Sequence, residues 1–430
     1  MSEVVMSHTQ LESMRSDYEG CSRCSCCKWI PHAQIMSWRY AKSCPSVDRY
    51  NFHAYSASGK LNMALSIIDK RSQLNDAVAS VIYRCQLCGA CQVSCQNYRD
   101  DIDHCDSFHV MRSTCVQEGF VLPEHLEIIE SMKREDNTMG MPKAQRSDWA
   151  AGLDIPDINT QKVDVLFHAG CRYSYDEGLL DTVRKWATFL KKAGINIGIA
   201  GRDEACCGGR AYEIGYQGEM KKYADDMASR VKASGAHTLV TPCSDCYYTF
   251  KYLYPKNSLG LTVKVLHTTE LTDGLLRQGI IRLKSSEPMT VTYHDPCHLG
   301  RRGESYKSGW SGDVKLMRPV QFKQTGREGI FDEPRNLIKA VGGVELREME
   351  RIREYSWCCG AGGGVLEAEP DFAVWTARDR IDEAMATGAE AIVTACPWCE
   401  HLFAEAIKEM GVTMKVLDVV DLLDMGLGGE

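Results

Sequence analysis

The sequence predicts an α/β protein: two duplicated α/β domains preceded by a mainly α-helical segment dense in cysteine. Three observations carry this prediction. From residue 163 onward, short β-branched runs alternate with helical stretches, the pattern of parallel strands joined by helices. A five-cysteine pattern, Cys…Cys-Cys-Gly…Cys-x-x-Cys, is written twice in this part, and its flanking strands repeat with it. Before residue 130 the apolar residues recur at helical spacing, and the cysteines come in triplets.

The expected organisation is a helical domain over 1–130, a linker over 131–162, a first α/β domain over 163–285 and a second over 286–430. In the first part Leu61, Leu65, Ile67 and Ile68 mark one helix, and Val78 and Ile82 another. The polar stretch Lys133–Lys162, with Gly140, Pro142 and Pro156, reads as the linker. Val163, Val165 and Phe167 predict a strand ending at Cys171; Leu179, Val183, Trp186 and Leu190 line a helix stopping near Gly194. In the second copy Met289–Tyr293 is the strand that runs into His294-Asp-Pro-Cys297. Thr238-Leu-Val-Thr-Pro-Cys243 matches Ala391-Ile-Val-Thr-Ala-Cys396, and each Cys-x-x-Cys opens a helix. Val263-Lys-Val-Leu266 likewise answers Met414-Lys-Val-Leu417. The cysteines thus fall at the C-terminal ends of strands, where open α/β sheets place ligands. Symmetry fails once: 34 residues separate Cys171 from Cys206, but 60 separate Cys297 from Cys358. The excess, about 302–329, reads as an inserted surface loop that meets a partner or substrate.

Composition is that of a soluble globular protein, 44% hydrophobic and 25% charged over 430 residues. A net charge of −8 gives no reason to expect nucleic acid or an anionic membrane. Met1–Ser16 holds no apolar export segment and no run of 18 apolar residues occurs, so a cytoplasmic location is expected. In that reducing compartment, 21 cysteines point to metal rather than to disulfides.

Thiolates are soft ligands that select zinc, copper(I) or iron–sulfur clusters. The two sets are Cys171, Cys206, Cys207, Cys243 and Cys246, and Cys297, Cys358, Cys359, Cys396 and Cys399. Neighbouring cysteines can share one centre only at a sharp turn, and the glycine after each pair permits it. Vicinal disulfides or unrelated core thiols could occur once; repetition of the whole set favours metal. Five thiolates exceed what a standard cubane takes, which suggests a cluster whose sulfurs bridge irons.

Cys85-x-x-Cys88-x-x-Cys91-x-x-x-Cys95 has the ligand spacing of a bacterial-type ferredoxin, with Gln96 in place of the usual proline. Cys21, Cys24 and Cys27 form a second triplet, completed by Cys44 before Pro45. The expected assignment is crossed: Cys21, Cys24, Cys27 and Cys95 on one [4Fe–4S] cluster, and Cys85, Cys88, Cys91 and Cys44 on the other. Cys26 competes with Cys27, and Cys105 and Cys115 read as buried small hydrophobes. Structural zinc, which takes four ligands as two pairs, is the alternative. Arg172, Arg301, Arg302 and Arg335 stand near cluster cysteines, where they either neutralise a cluster or bind an anionic substrate. His294 and His298 flank Cys297 as packing groups or proton donors, and Trp357 and Trp398 wall the sites from water. Gly360–Gly364 lacks the dinucleotide-binding spacing, so no flavin or NAD is expected on this chain. Electrons must then come from a partner: a ferredoxin-type or flavin-bearing subunit, or a membrane cytochrome.

On these motifs the sequence resembles the CCG-domain iron–sulfur proteins that form the D-type subunit of heterodisulfide reductase, in which a dicluster ferredoxin part is fused to two CCG domains. Asn137-Thr-Met-Gly140, Tyr293-His-Asp-Pro-Cys-His-Leu-Gly300, Asp332-Glu-Pro-Arg335 and Cys358-Cys-Gly-Ala-Gly-Gly-Gly-Val365 carry it with the cysteine sets. The resemblance implies two cubane and two noncubane [4Fe–4S] clusters, each noncubane held by one five-cysteine set, and cleavage of a disulfide by that pair. It extends to CCG-domain electron-transfer subunits of anaerobic complexes, such as class II benzoyl-CoA reductase, where a terminal reductase on another chain finishes the reaction. Either way the chain is expected inside a larger complex.

Overall fold

The computed structural model describes residues 10–96, 102–307 and 323–427. Two four-stranded parallel sheets form its larger part. In the first, β1 (Val165–Phe167), β2 (Ile197–Gly198), β3 (Thr238–Thr241) and β4 (Lys264–His267) lie in the order β2-β1-β3-β4. The second repeats it with β5 (Ser285–Tyr293), β6 (Gly342–Leu346), β7 (Ala391–Thr394) and β8 (Lys415–Asp418), in the order β6-β5-β7-β8. Every pairing is parallel. Strands β1, β3 and β7 are buried at every residue, as expected of strands covered on both faces. In both sheets strand order reverses between the first and third strands, which opens a crevice at their C-terminal ends. Those ends carry Cys171, Cys243, Cys297 and Cys396.

The helices follow the sequence closely. Leu180–Lys192 buries Val183, Trp186 and Leu190 against β1's sheet and ends before Gly194, whose φ is +79°. Pro397–Met410 starts on proline at its first turn, with Cys396 as N-cap, and stops at left-handed Gly411. The N-terminal part is helical: Ala57–Ile68, Asp76–Tyr83, Ala90–Gln96, His104–Gln117 and Pro123–Glu135 are its main helices. Side chains of Ser56, Asn75 and Asp103 cap three of them. Leu61, Leu65, Ile82, Phe108 and Met111 form its own core.

Two segments differ from expectation. The stretch read as a linker begins inside the helix Pro123–Glu135 and is then pinned to the first α/β domain. Trp149 is buried with its ring 5.8 Å from that of Phe167, and buried Arg146 pairs with Glu204 at 2.8 Å. Of the insertion, 308–322 lie outside the described residues, and its flanks are surface loop only in part: Ser305, Lys307, Arg327 and Glu328 are exposed, but other positions are anchored. Arg301, Arg302 and Glu304 are buried, and Gly326 packs so closely on Val93 of the ferredoxin-like part that a methyl group would not fit.

Candidate metal centres

The first five-cysteine set is assembled from three loops at the C-terminal edge of its sheet. Cys171 follows β1, Cys206-Cys207 follows β2, and Cys243 and Cys246 follow β3. Gly208 is left-handed (φ +80°), which turns the chain so that its N–H donates to Cys206 Sγ at 3.3 Å. Cys171 touches Cys206, Cys207 touches Cys246, and Cys246 touches Cys243. The second set repeats this arrangement. Gly360 (φ +106°) donates to Cys358 Sγ at 3.3 Å. Cys297 touches Cys358, Cys359 touches Cys399, and Cys399 touches Cys396. All ten cysteines but the half-buried Cys297 are buried.

The two sets meet. Cys243 of the first contacts Cys396 of the second, and Ser244 Oγ, inside the first Cys-x-x-Cys, donates to the Ala395 carbonyl at 2.7 Å. The second set also meets the ferredoxin-like part, where Cys88 and Cys358 pack together with Cys297 beside them. A continuous thiol path therefore runs from Cys88 through the second set into the first. The glycine run after Cys358 makes this docking possible. A Cβ at Gly362 would fall 2.4 Å from the Gln86 carbonyl oxygen, and one at Gly363 2.7 Å from that of Cys85. Gly362 and Gly363 are thus packed backbone against backbone.

In the N-terminal part Cys21, Cys24, Cys27 and Cys95 line one small cavity with Ser58 and His104. Cys27 faces that cavity, whereas Cys26 turns toward the Cys24 carbonyl at 3.8 Å. Cys44, Cys85, Cys88 and Cys91 gather in a second group, with Cys105 at its edge; its thiol donates to the Leu87 carbonyl at 3.8 Å. Cys115 sits fully buried in the helical core.

Cations surround the thiols. The Cys171 thiol is pulled down to about 5, first by contact with Cys206 and, against burial, by Arg146. Cys88 is likewise pulled down to about 5 by Cys358 and, again against burial, by Arg301. Arg301 is tied by its Nε to the Cys88 carbonyl at 2.6 Å and lies among Cys88, Cys297 and Cys358. Arg335 makes a bidentate pair with Asp295 at 2.6 and 2.9 Å, so it braces the loop before Cys297 instead of facing a ligand. Arg302 reaches Glu213 at 3.2 Å and the Tyr248 hydroxyl at 2.8 Å. His298 is clamped between Asp245 at 2.6 Å and Glu213 at 3.0 Å. Burial opposes its charged form, but Asp245, Cys297 and Glu213 hold its pKa well above the ordinary value. Arg172 and Arg210 both lie over the Trp398 ring, each 4.4 Å from its centre, and Arg351 covers Trp357 at 4.4 Å.

The duplication also gives His294 a counterpart, His168, that sequence reasoning overlooked. His168 precedes Cys171 by three residues, as His294 precedes Cys297. Both are buried; His294 groups with Cys359 and Cys399 within 4.8 Å, and Cys207, the counterpart of Cys359, lies in the field of His168. The repeated His-x-x-Cys was the available signal.

The donor sets fit iron–sulfur chemistry. Among the described residues, Arg146 Nη1, Arg301 Nη2, His168 Nε2 and His294 Nε2 are buried without an oxygen or nitrogen partner, and Arg146, Arg301 and His294 face the thiols of Cys171, Cys88 and Cys359. Buried polar groups normally find partners, and N–H groups turned toward packed thiols match the sulfurs of an anionic cluster.

Comparison with known proteins agrees. A 4Fe–4S dicluster domain matches residues 17–98, and a cysteine-rich domain, CCG, matches 165–251 and 319–404. The chain is 27% identical to the D-type subunit of the dihydromethanophenazine:CoB–CoM heterodisulfide reductase of Methanosarcina mazei, over 96% of this chain and 95% of that one. It is 28% identical to the EtfAB:quinone oxidoreductase of Syntrophomonas wolfei, over 82% of this chain and 48% of that one. It is 27% identical to the probable iron–sulfur-binding oxidoreductase FadF of Bacillus subtilis, over 87% and 51%. A hypothetical protein from Helicobacter pylori shares the fold with a TM-score of 0.55 at 11% identity, over 87% of this chain and 68% of that one. The chain belongs to the CCG-domain iron–sulfur oxidoreductases typified by the D-type subunit of heterodisulfide reductase, a dicluster ferredoxin domain fused to two cysteine-rich domains.

Proposed function

We propose that this chain receives electrons at its N-terminal cysteine quartets and delivers them to the paired five-cysteine sets, which reduce a disulfide. The continuous thiol path Cys88–Cys358, then Cys396–Cys243, is the observation that carries this reading. Two cubane and two noncubane [4Fe–4S] clusters would supply one-electron carriers, held by the quartets and by the five-cysteine sets respectively. The chain's own residues do the rest. Arg146 and Arg301 offset thiolate charge, His168 and His294 offer N–H groups to sulfur, and Asp245 and Glu213 hold a protonated His298 next to Cys297. A disulfide needs two electrons, and two abutting sets offer two. The Methanosarcina mazei relative, named for a heterodisulfide substrate, supports the same reaction class.

A second reading draws on the Syntrophomonas wolfei relative, named for electron transfer to quinone. Here the five-cysteine sets pass electrons to a terminal reductase or membrane cytochrome on another chain. Among the described residues no helix is long and apolar enough to cross a membrane. The test is anaerobic: reduced holoprotein is mixed with a panel of low-molecular-weight disulfides and free thiol is counted. Thiol release in proportion to electrons supplied supports disulfide reduction. Reoxidation only by an added redox protein or quinone supports the relay.

A further inference from the structure

We propose that residues 28–53 form the docking surface for the electron donor, and that this donor is an acidic redox protein with an apolar contact centre. The inference rests on the reading that the N-terminal quartets accept electrons. Among the described residues nine large hydrophobic side chains are exposed, and four of them, Trp29, Met36, Trp38 and Phe52, fall in this short segment. Trp38 and Met36 are 78% and 77% exposed. Aromatic and methionine side chains left in water at this density mark an interface, not chance.

The segment is a platform, not a loose loop. Its base is a two-stranded turn, with Ile30 N–H donating to the Ala41 carbonyl at 2.8 Å and Ser43 N–H to that of Lys28 at 3.0 Å. Tyr40 is buried and its hydroxyl donates to Asp382 of the second CCG domain at 3.0 Å, while Arg351 donates to the Lys42 carbonyl at 3.2 Å. The arms therefore hold still while the tip, His32–Arg39, projects into solvent.

Position and charge identify the partner. The arms join Cys27 of one quartet to Cys44 of the other, and Cys44 forms part of a groove lined by Trp29, Phe52, Lys28, Lys42 and His53. A carrier seated there reaches both quartets. Residues 20–56 hold five Arg and Lys against one acid, Asp48, in a chain of net charge −8. Arg39 is paired with Asp382 and Lys42 with Asp48, which leaves Lys28 and Arg49 of the segment, with Arg23 just before it, as the cationic rim. An apolar centre with a basic rim selects an acidic partner and speeds its encounter at low salt.

The test compares wild-type holoprotein with the double variant Lys28→Gln/Trp38→Ser, using an acidic two-cluster bacterial ferredoxin and methyl viologen as the two donors. Iron content confirms that both proteins are loaded. Binding of oxidised ferredoxin to immobilised holoprotein should weaken about tenfold in the variant, the loss expected from one aromatic hot spot and a rim charge. It should also weaken with added salt. Reduction by ferredoxin should slow in parallel, while reduction by methyl viologen stays unchanged. Equal ferredoxin affinity in both proteins, or no salt-sensitive binding by wild type, overturns the docking surface but leaves the electron path standing. A wild type that methyl viologen cannot reduce overturns the electron path itself, and the docking surface with it.

Discussion

Replacing Gly362 with alanine tests whether the ferredoxin-like part must sit where the fold places it. The added Cβ would lie 2.4 Å from the Gln86 carbonyl oxygen, whereas ordinary contact begins at 3.4 Å, so the two backbones must part by about 1.0 Å. Gly362 does not need the left-handed region, so the effect is steric and adds no backbone strain. Overpacking of this kind costs about 1–3 kcal/mol. At about 1.4 kcal/mol per tenfold, the contact around Cys85–Cys88 should open roughly 5- to 150-fold more often. The matched control is Gly218→Ala, where no heavy atom lies within 4 Å of the new methyl and the helix Gln217–Ser234 gains about 1 kcal/mol. Amide hydrogen exchange of anaerobic holoprotein is the assay. Gly362→Ala should deprotect the amides near Cys85 and Cys358 and slow electron arrival at the second set, with iron content unchanged. Exchange and electron arrival indistinguishable from those of Gly218→Ala would refute the docking argument.

Other outcomes follow from the same geometry. Cys207→Ala and Cys359→Ala should each remove about four irons per chain and leave the other set loaded, checked by anaerobic metal analysis. Arg301→Met removes a buried cation beside Cys88, Cys297 and Cys358, so reduction there becomes harder; the potential should fall by about 60 mV in a dye-mediated titration, the one-electron equivalent of tenfold. Asp418, buried where the two CCG domains meet and hydrogen-bonded by Trp186 Nε1 at 2.8 Å, has its carboxyl raised to about 8, mainly by burial. A raised carboxyl holds its proton longer when folded, so stability is full below about pH 4 and is lost as the pH rises toward 8. Denaturation midpoints should fall across that window at up to about 1.4 kcal/mol per unit, and Asp418→Asn should flatten the slope.

Most of the fold was legible because each signal is local. Buried strands show as β-branched runs, helix ends show as glycine, and the duplicated Cys-x-x-Cys fixes the same turn in both domains. What spacing could not show is which set faces which. That Cys243 abuts Cys396, and that Cys88 abuts Cys358, depends on packing between residues 153 and 270 positions apart. The glycine run at 360–364 was legible as unsuited to a nucleotide, but its use, close approach to the Cys85 loop, belongs to tertiary structure. Arg335 and Arg302 read as neutralising a cluster or binding an anion because sequence shows their nearness to cysteine and not the carboxylates Asp295 and Glu213 that engage them. His168 is the opposite case, since the repeat contained it all along.

The most direct measurement is iron, zinc and inorganic sulfide on protein purified without oxygen. Four loaded centres require about sixteen irons and sixteen sulfides per chain, and a reduced sample should give iron–sulfur paramagnetic signals. Stoichiometric zinc, or thiols with no sulfide among them, would contradict the account at its root.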